Sequence, residues 1–257
     1  MPVDPPVLYN NYWTFLRDMI GAPYGSVHLN PTDYQIHNAY RMRAALQSQG
    51  YDPTAIAGVI GNAQVESGIT PGAIQKYSVI PNGAQTLADV PNSYMLQYYA
   101  PTAGGQGYGL GLLQWDRYSS VYHSQDLLGW CNANNYQWYD GAGQMARLDF
   151  EFQHDSQYHF WRDNYGGLTW ADYKQIETTY PSYDAGEAAN VWASCWELSS
   201  LDPTGRQRRR DNAEYWYQWF IDHPTEPKPI KPWMLFQFRK ERRGLNVKLH
   251  TGRLRPD

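Results

Sequence analysis

The chain has 257 residues, 42% hydrophobic and 18% charged, which supports one large core with extensions and excludes a small disulfide scaffold. Aromatic residues reach 16%, an excess that predicts rings with work beyond filling one core. The net charge of −4 divides unevenly: residues 1–223 carry 12 Lys and Arg against 22 Asp and Glu, and residues 224–257 carry 9 against 3, so an acidic body precedes a basic tail.

Residues 1–32 form an N-terminal extension in which Trp13, Phe15, Leu16, Met19 and Ile20 fall at helical spacing. The opening residues lack the basic and apolar regions of a secretory signal, and no apolar run reaches the length that crosses a bilayer. Residues 33–223 read as the main domain. Ile36, Tyr40, Met42, Arg43 and Leu46 predict a helix over Asp33–Gln49, with Thr32 or Asp33 as its cap and Gly50 as its stop. Asp52-Pro53 predicts the next start, a capping carboxylate before a proline at the first helical position. Ile56, Val59, Ile60 and Ala63 mark one face as far as Gly68. From Ile69 to Gly111, Gly, Pro, Asn and Tyr without sustained periodicity predict a long loop or a small irregular sheet. Helices are predicted again over Ser119–Asn132, Gly141–Tyr158, Thr169–Thr178, Ala185–Glu197 and Arg209–Phe220. Residues 224–257 open with a proline-punctuated linker and continue through an apolar stretch, Trp233 to Phe238, into a basic run, Arg239 to Arg243. This segment reads either as a solvated tail or as a docking arm for a larger assembly, with nucleic-acid contact possible but not favoured.

Two constellations carry chemistry. In Gly61–Pro71, Glu66 stands in the last turn of an otherwise uncharged, apolar helix. There the negative end of the helix dipole and desolvation favour a protonated carboxyl, which is what a general acid needs. The alternative is a carboxylate that only binds nearby backbone amides. In Gly107–Asp116, alternating glycines such as Gly109 expose backbone, Tyr108 and Trp115 offer ring faces to a sugar, and Gln114 offers an amide. The alternative there is a tight turn into a buried strand. The run is no dinucleotide fingerprint, because Leu112 stands where the third glycine belongs. His154 and His159 lack zinc-protease spacing, Cys131 and Cys195 form no CxxC pair, and Cys195 reads as core, so no metal or cofactor is expected.

In order along the chain come Asn62-x-Gln64-x-Glu66-Ser67-x-Ile69-x-Pro71-Gly72, the glycine run ending in Gln114-Trp115, Leu148 to Glu151, Trp196-Glu197, and Arg210 to Tyr217. Together these resemble the phage tail lysozyme family, in particular the lysozyme domain of podophage tail-knob proteins, over about residues 34–222. The resemblance implies a mainly α (α+β) lysozyme-like fold, a place at the tip of a phage tail in the virion, and cleavage of peptidoglycan glycan strands during DNA entry. It implies Glu66 as the catalytic acid; read as a docking arm on its linker, apolar stretch and charge, residues 224–257 would contact other tail proteins. The loop Ser78–Gly105 is long for the family, and Asp116 stands where Thr is common. For a metallopeptidase domain, frequent in tail-knob proteins, residues 224–257 are too short and lack the set of His and Asp ligands it needs. Asp116 is the first candidate for a second carboxylate and Asp89 the next, while Glu151 and Glu197 are expected to be buried partners of Arg206 to Arg210. A lysozyme-type muramidase is the first reading, with a lytic transglycosylase or an inactive tail structural protein as alternatives.

Overall fold

In the computed structural model of this chain the described residues are 33–73, 91–98, 109–115, 127–154, 160, 162–197 and 203–226. They are mainly helical, as expected: α1 (Asp33–Ser48), α2 (Pro53–Ser67), α3 (Asn92–Tyr98), α4 (Leu127–Ala133), α5 (Gly141–Gln153), a 3-10 helix (Arg162–Tyr165), α6 (Trp170–Lys174), α7 (Ile176–Thr179), α8 (Ala185–Cys195) and α9 (Pro203–Asp222). Among the described residues the sheet alternative is represented by a single antiparallel bridge between Leu110 and Trp115, and no helix is long and apolar enough to cross a membrane. The N-terminal extension, Asp89 and the docking arm beyond Glu226 lie outside the described residues.

The central element is α2, and its limits follow from local chemistry. Asp52 caps its start by accepting from Ala55 N at 2.8 Å, Pro53 occupies the first turn, and Gly68 ends it at φ 63° with its N–H turned back to Ala63 and Gln64 carbonyls. Between those limits every side chain from Thr54 to Gln64 is buried, as in a helix enclosed on all sides. Burial of Ile56, Val59 and Ile60 stabilises by about 1.5–3 kcal/mol each. Two glycines let its neighbours close in. A Cβ on Gly58 would lie 2.7 Å from the Tyr173 hydroxyl and 2.9 Å from the Ala188 backbone carbon, and one on Gly61 would lie 2.6 Å from Ala213 N. Thus α8 and α9 pack directly on the backbone of α2.

On α1, Gln35, Ala39, Met42 and Leu46 face inward at steps of three and four, the helical period. The Tyr40 hydroxyl donates to the His223 carbonyl, joining α1 to the end of α9. On α9 the buried residues are Arg209, Asn212, Ala213, Trp216 and Phe220. This helix begins six residues before the predicted Arg209, because its first turns are polar and charged and show no apolar repeat, while Pro203 suits a helix start. The predicted Thr169–Thr178 helix is broken into α6 and α7. Asp52 causes the break: its N–H takes the Lys174 carbonyl at 2.7 Å and its Oδ2 accepts from Glu177 N at 2.7 Å, so both groups are drawn out of a continuous ladder. The predicted Gly141–Tyr158 helix ends at Gln153 with His154 as its cap. Of the predicted Ser119–Asn132 helix the described part is α4.

A short helix, α3, lies inside the stretch read as irregular. Long-range bonds hold it: Asn92 Nδ2 donates to the Tyr136 carbonyl at 2.5 Å, and Asn92 Oδ1 accepts from Trp138 N at 2.7 Å. Among the described residues the aromatic side chains lie in the core or pack against it. Trp138, Trp170, Trp192 and Trp216 are among the largest fully buried side chains. Trp192 meets Trp170 edge to face at 6.3 Å and stacks on Trp196 at 5.1 Å.

Candidate active site

Helix α2 is buried from Thr54 to Gln64 and reaches solvent at its C-terminal end, where the Glu66 side chain is 23% exposed. The motif residues around Glu66 each have a partner that holds this end in place. Asn62, one turn earlier, donates from Nδ2 to the Gly58 carbonyl at 2.8 Å and the Ala189 carbonyl at 3.1 Å. Gln64 Oε1 accepts from the Trp216 indole at 2.6 Å, which ties α2 to α9. Past the helix, Gln35 and Asn38 of α1 donate to the carbonyls of Gly68 and Ile69. Ile69 is itself left-handed, at φ 58°, a conformation that costs a branched side chain about 1–2 kcal/mol.

Arg209 of α9, 3% exposed, reaches into this end. Its Nη2 bonds to Glu66 Oε1, and its Nη1 lies 2.8 Å from Asn62 Oδ1 and 2.9 Å from Glu197 Oε2. Glu197, two residues past α8, is 7% exposed. Burial, and after it the charge of Glu66, push its carboxyl up to about 8, although Arg209 pulls the other way. The sequence put Glu66 in an uncharged, apolar setting. The structure instead places a guanidinium on it and a second carboxylate across that guanidinium, and in this group Glu197 is the carboxyl whose hold on a proton is strengthened.

Glu197 meets its expected arginine partner. Glu151 does not: it pairs with Arg147 of its own helix at 3.3 Å and accepts from the indoles of Trp115 at 2.8 Å and Trp196 at 3.0 Å. Its inward position on α5, in step with Leu148 and Arg147, sets it against the Trp115 and Trp196 indoles instead.

The glycine run forms a turn closed by the Leu110 and Trp115 bridge, with Leu110 N to Trp115 O at 3.0 Å and the reverse bond at 2.9 Å. Gly111 (φ 79°) and Gln114 (φ 52°) are both left-handed. Gln114 folds over its own turn: its Nε2 donates to the Gly111 carbonyl at 2.9 Å, and a Cβ on Gly109 would lie 2.8 Å from its Oε1. Trp115 is 6% exposed, bound to Glu151 and set edge-on to Trp196 at 5.8 Å. That ring is a core ring, not a face open to a sugar, so Trp115 follows the tight-turn alternative. Tyr108 and Asp116 lie outside the described residues.

The structure does bring this turn to the end of α2. The Ser67 hydroxyl lies 2.8 Å from the Leu112 carbonyl, and Gly111 N donates to the Ala73 carbonyl at 2.8 Å. Gln144 of α5 locks the junction: its Oε1 accepts from Leu112 N at 2.8 Å, and its Nε2 donates to the carbonyls of Pro71 at 2.7 Å and Trp138 at 2.5 Å. A Cβ on Gly111 would lie 2.5 Å from that amide nitrogen, so Gly111 is required both for its φ and for its bare α-carbon. Gln144 and the bond from Arg209 to Glu66 were not read from the sequence. For Arg209 a signal existed, since it shares the helical phase of Ala213, Trp216 and Phe220. For Gln144 there was none.

A carboxyl at the mouth of a buried helix end, fixed by a guanidinium and backed by a second carboxyl, can deliver or take up a proton at a bound substrate. Among the described residues no group of three or more His, Cys, Asp or Glu side chains could hold a metal ion. The sequence matches the phage tail lysozyme family over residues 37–220, from within α1 to within α9. That span includes Glu66, Gln144, Glu197 and Arg209, and with it the chain belongs to the phage tail lysozyme family.

Proposed function

We propose that this chain sits at the tip of a phage tail and cuts the glycan strands of bacterial peptidoglycan during DNA entry, with Glu66 donating a proton to the glycosidic oxygen. As a family member it is a phage-associated, lysozyme-like enzyme that cleaves peptidoglycan. The observation that carries the finer reading is Glu66 itself, the carboxyl that emerges just past the buried run Thr54–Gln64 of α2, beside the pinned Leu112 turn.

Protonation of the leaving oxygen leaves an oxocarbenium-like sugar, which a second carboxylate meets at about 5 Å in retaining enzymes, or through a water at about 6.5–9.5 Å in inverting ones. Asp116 is our candidate, because in sequence it directly follows Trp115, the last described residue of the turn tied to Ser67. Gly109 and Gln114 shape that turn and, with Tyr108, are the proposed substrate contacts. The second reading is a lytic transglycosylase, whose attack by the substrate's own hydroxyl needs no second carboxylate. One observation favours it: Glu197, which shares Arg209 with Glu66, is buried and engaged rather than open to a water. Residues 224–257 serve as the arm that joins the tail, their basic excess suited to an acidic partner surface.

The test is digestion of purified peptidoglycan followed by mass spectrometry of the fragment ends. Reducing muramic ends support the muramidase, anhydro ends replace it by the transglycosylase, and no release of fragments from a folded protein favours a tail structural role.

A further inference from the structure

We propose that Glu66 and Glu197, gripping the two arms of one guanidinium, act as a single proton-holding pair in which Glu197 is the positioning residue that keeps Glu66 competent as the acid. This rests on Glu66 being the acid.

The geometry is a fork. Arg209 Nη2 holds Glu66, and its Nη1 holds Glu197 Oε2 at 2.9 Å together with Asn62 Oδ1 at 2.8 Å. Two ionised carboxylates against one guanidinium leave a net negative charge where Arg209 is 3% and Glu197 7% exposed. A buried uncompensated charge is costly, and one proton on the pair restores neutrality. Neither Glu197 oxygen makes a well-formed hydrogen bond among the described residues, so a bare carboxylate there is poorly compensated, although the Trp192 indole, like Arg209, favours the ionised form. The shift of Glu197 toward about 8 has the same direction.

Other groups facing Glu197 do not compete for this role. The Cys195 thiol is pushed up to about 12 by burial, and the Tyr173 phenol is raised well above its ordinary value, so both stay neutral through the range concerned. On α9, Arg206 turns to the Ser194 hydroxyl and Arg210 to Glu187. Glu66 and Arg209 are therefore the charges that set the state of Glu197.

The chemical consequence follows from the difference in exposure. Glu66, 23% exposed, is the member that a substrate would cover. Loss of its hydration favours moving the shared proton from Glu197 to Glu66, with the net charge of the cluster unchanged. Glu66 then passes that proton to the glycosidic oxygen as the bond to carbon breaks and the electron pair stays on the oxygen. The cluster is left with two carboxylates and one guanidinium, a net negative charge opposite the positive sugar. The proton released when the sugar is captured by a hydroxyl or a water restores the pair.

The test is kcat/KM against pH on purified peptidoglycan for the full chain, Glu197→Gln and Glu66→Gln. The Gln amide oxygen still faces Arg209 but neither repels Glu66 nor stores a proton. We expect the alkaline limb of Glu197→Gln to fall by at least one pH unit, a loss of about fivefold or more at the old midpoint. A limb that stays in place, with or without a uniform loss of rate, overturns the pairing. As a measurement that needs no substitution, the assigned carboxyl carbons of Glu66 and Glu197 are followed by NMR. Shared inflections in both curves support the pair, and two independent single-step curves overturn it. If Glu66→Gln stays active, the reading of Glu66 as the acid fails; if it is inactive while the Glu197→Gln limb is unmoved, the pairing alone fails.

Discussion

Replacing Gly61 with alanine puts a methyl group 2.6 Å from Ala213 N, 2.8 Å from its Cα and 2.8 Å from its Cβ. Two of these atoms are backbone of α9, so no rotamer change relieves the overlap. Ordinary carbon contacts lie at about 3.5–4.0 Å, so α2 and α9 must separate by about 1 Å. Overpacking of this kind costs about 1–3 kcal/mol, and alanine regains about 1 kcal/mol of helix propensity over glycine. With contacts this short the upper end of the strain applies, leaving a net loss of about 2 kcal/mol, or about 4–8 °C in Tm for a unit of this size. The functional loss should be larger in proportion. Glu66 lies five residues beyond Gly61 on α2, and Arg209 one turn before Ala213 on α9, so separating the helices draws the guanidinium from the acid. A misplacement of about 1 Å can cost about a hundredfold in rate. Thermal melts and kcat/KM on peptidoglycan measure both effects. Gly50→Ala is the control: Gly50 sits at φ 85° with nothing within 4 Å of an added Cβ, so it should lose about 1 kcal/mol through left-handed strain and keep its kcat/KM. A Gly61→Ala protein as stable and as active as the parent would refute the close approach of the two helices.

Trp115→Phe keeps an aromatic ring but removes the indole donor to Glu151 Oε1. It should cost about 1–3 kcal/mol by chemical denaturation, whereas Trp115→Phe with no loss would mean that the buried carboxylate is satisfied without it. Because folding strengthens the hold of Glu197 on a proton, the folded state binds more protons than the unfolded chain between the ordinary glutamate range and about pH 8. Stability should therefore fall as pH rises through that window, and the slope should shrink in Glu197→Gln; equal slopes in both proteins would contradict the shift. A chain ending after Glu226 retains every described residue, and it should degrade peptidoglycan in solution yet fail to enter virions; normal incorporation would remove the docking role from the tail.

Local signals were legible where a few adjacent residues decide the structure. The limits of α2 were readable in Asp52-Pro53 and Gly68 because caps and left-handed stops act over one turn. The division between α6 and α7 was not, since its cause is a carboxylate 125 residues away in the chain that takes Glu177 N. Periodicity found the apolar half of α9 and missed its polar start. The fate of Trp115 depends on Glu151, 36 residues on, so no property of the glycine run itself could decide between a sugar platform and a core ring. The position of Glu66 at a helix end was readable, but its electrostatics were not. The guanidinium and the second carboxylate arrive from α9 and from the end of α8, and only the packing of bare α-carbons at Gly58 and Gly61 brings those helices close enough.

The most direct test of the central claim is the release of soluble fragments from purified peptidoglycan by the parent chain and by Glu66→Gln at equal concentration, with melting curves of both. The substitution keeps the volume and removes the transferable proton. The account predicts fragment release by the parent, a loss of about 10²–10⁴-fold in the variant, and closely matched melting temperatures. A folded Glu66→Gln protein that releases fragments at more than about a tenth of the parent rate, far above that range, would contradict it.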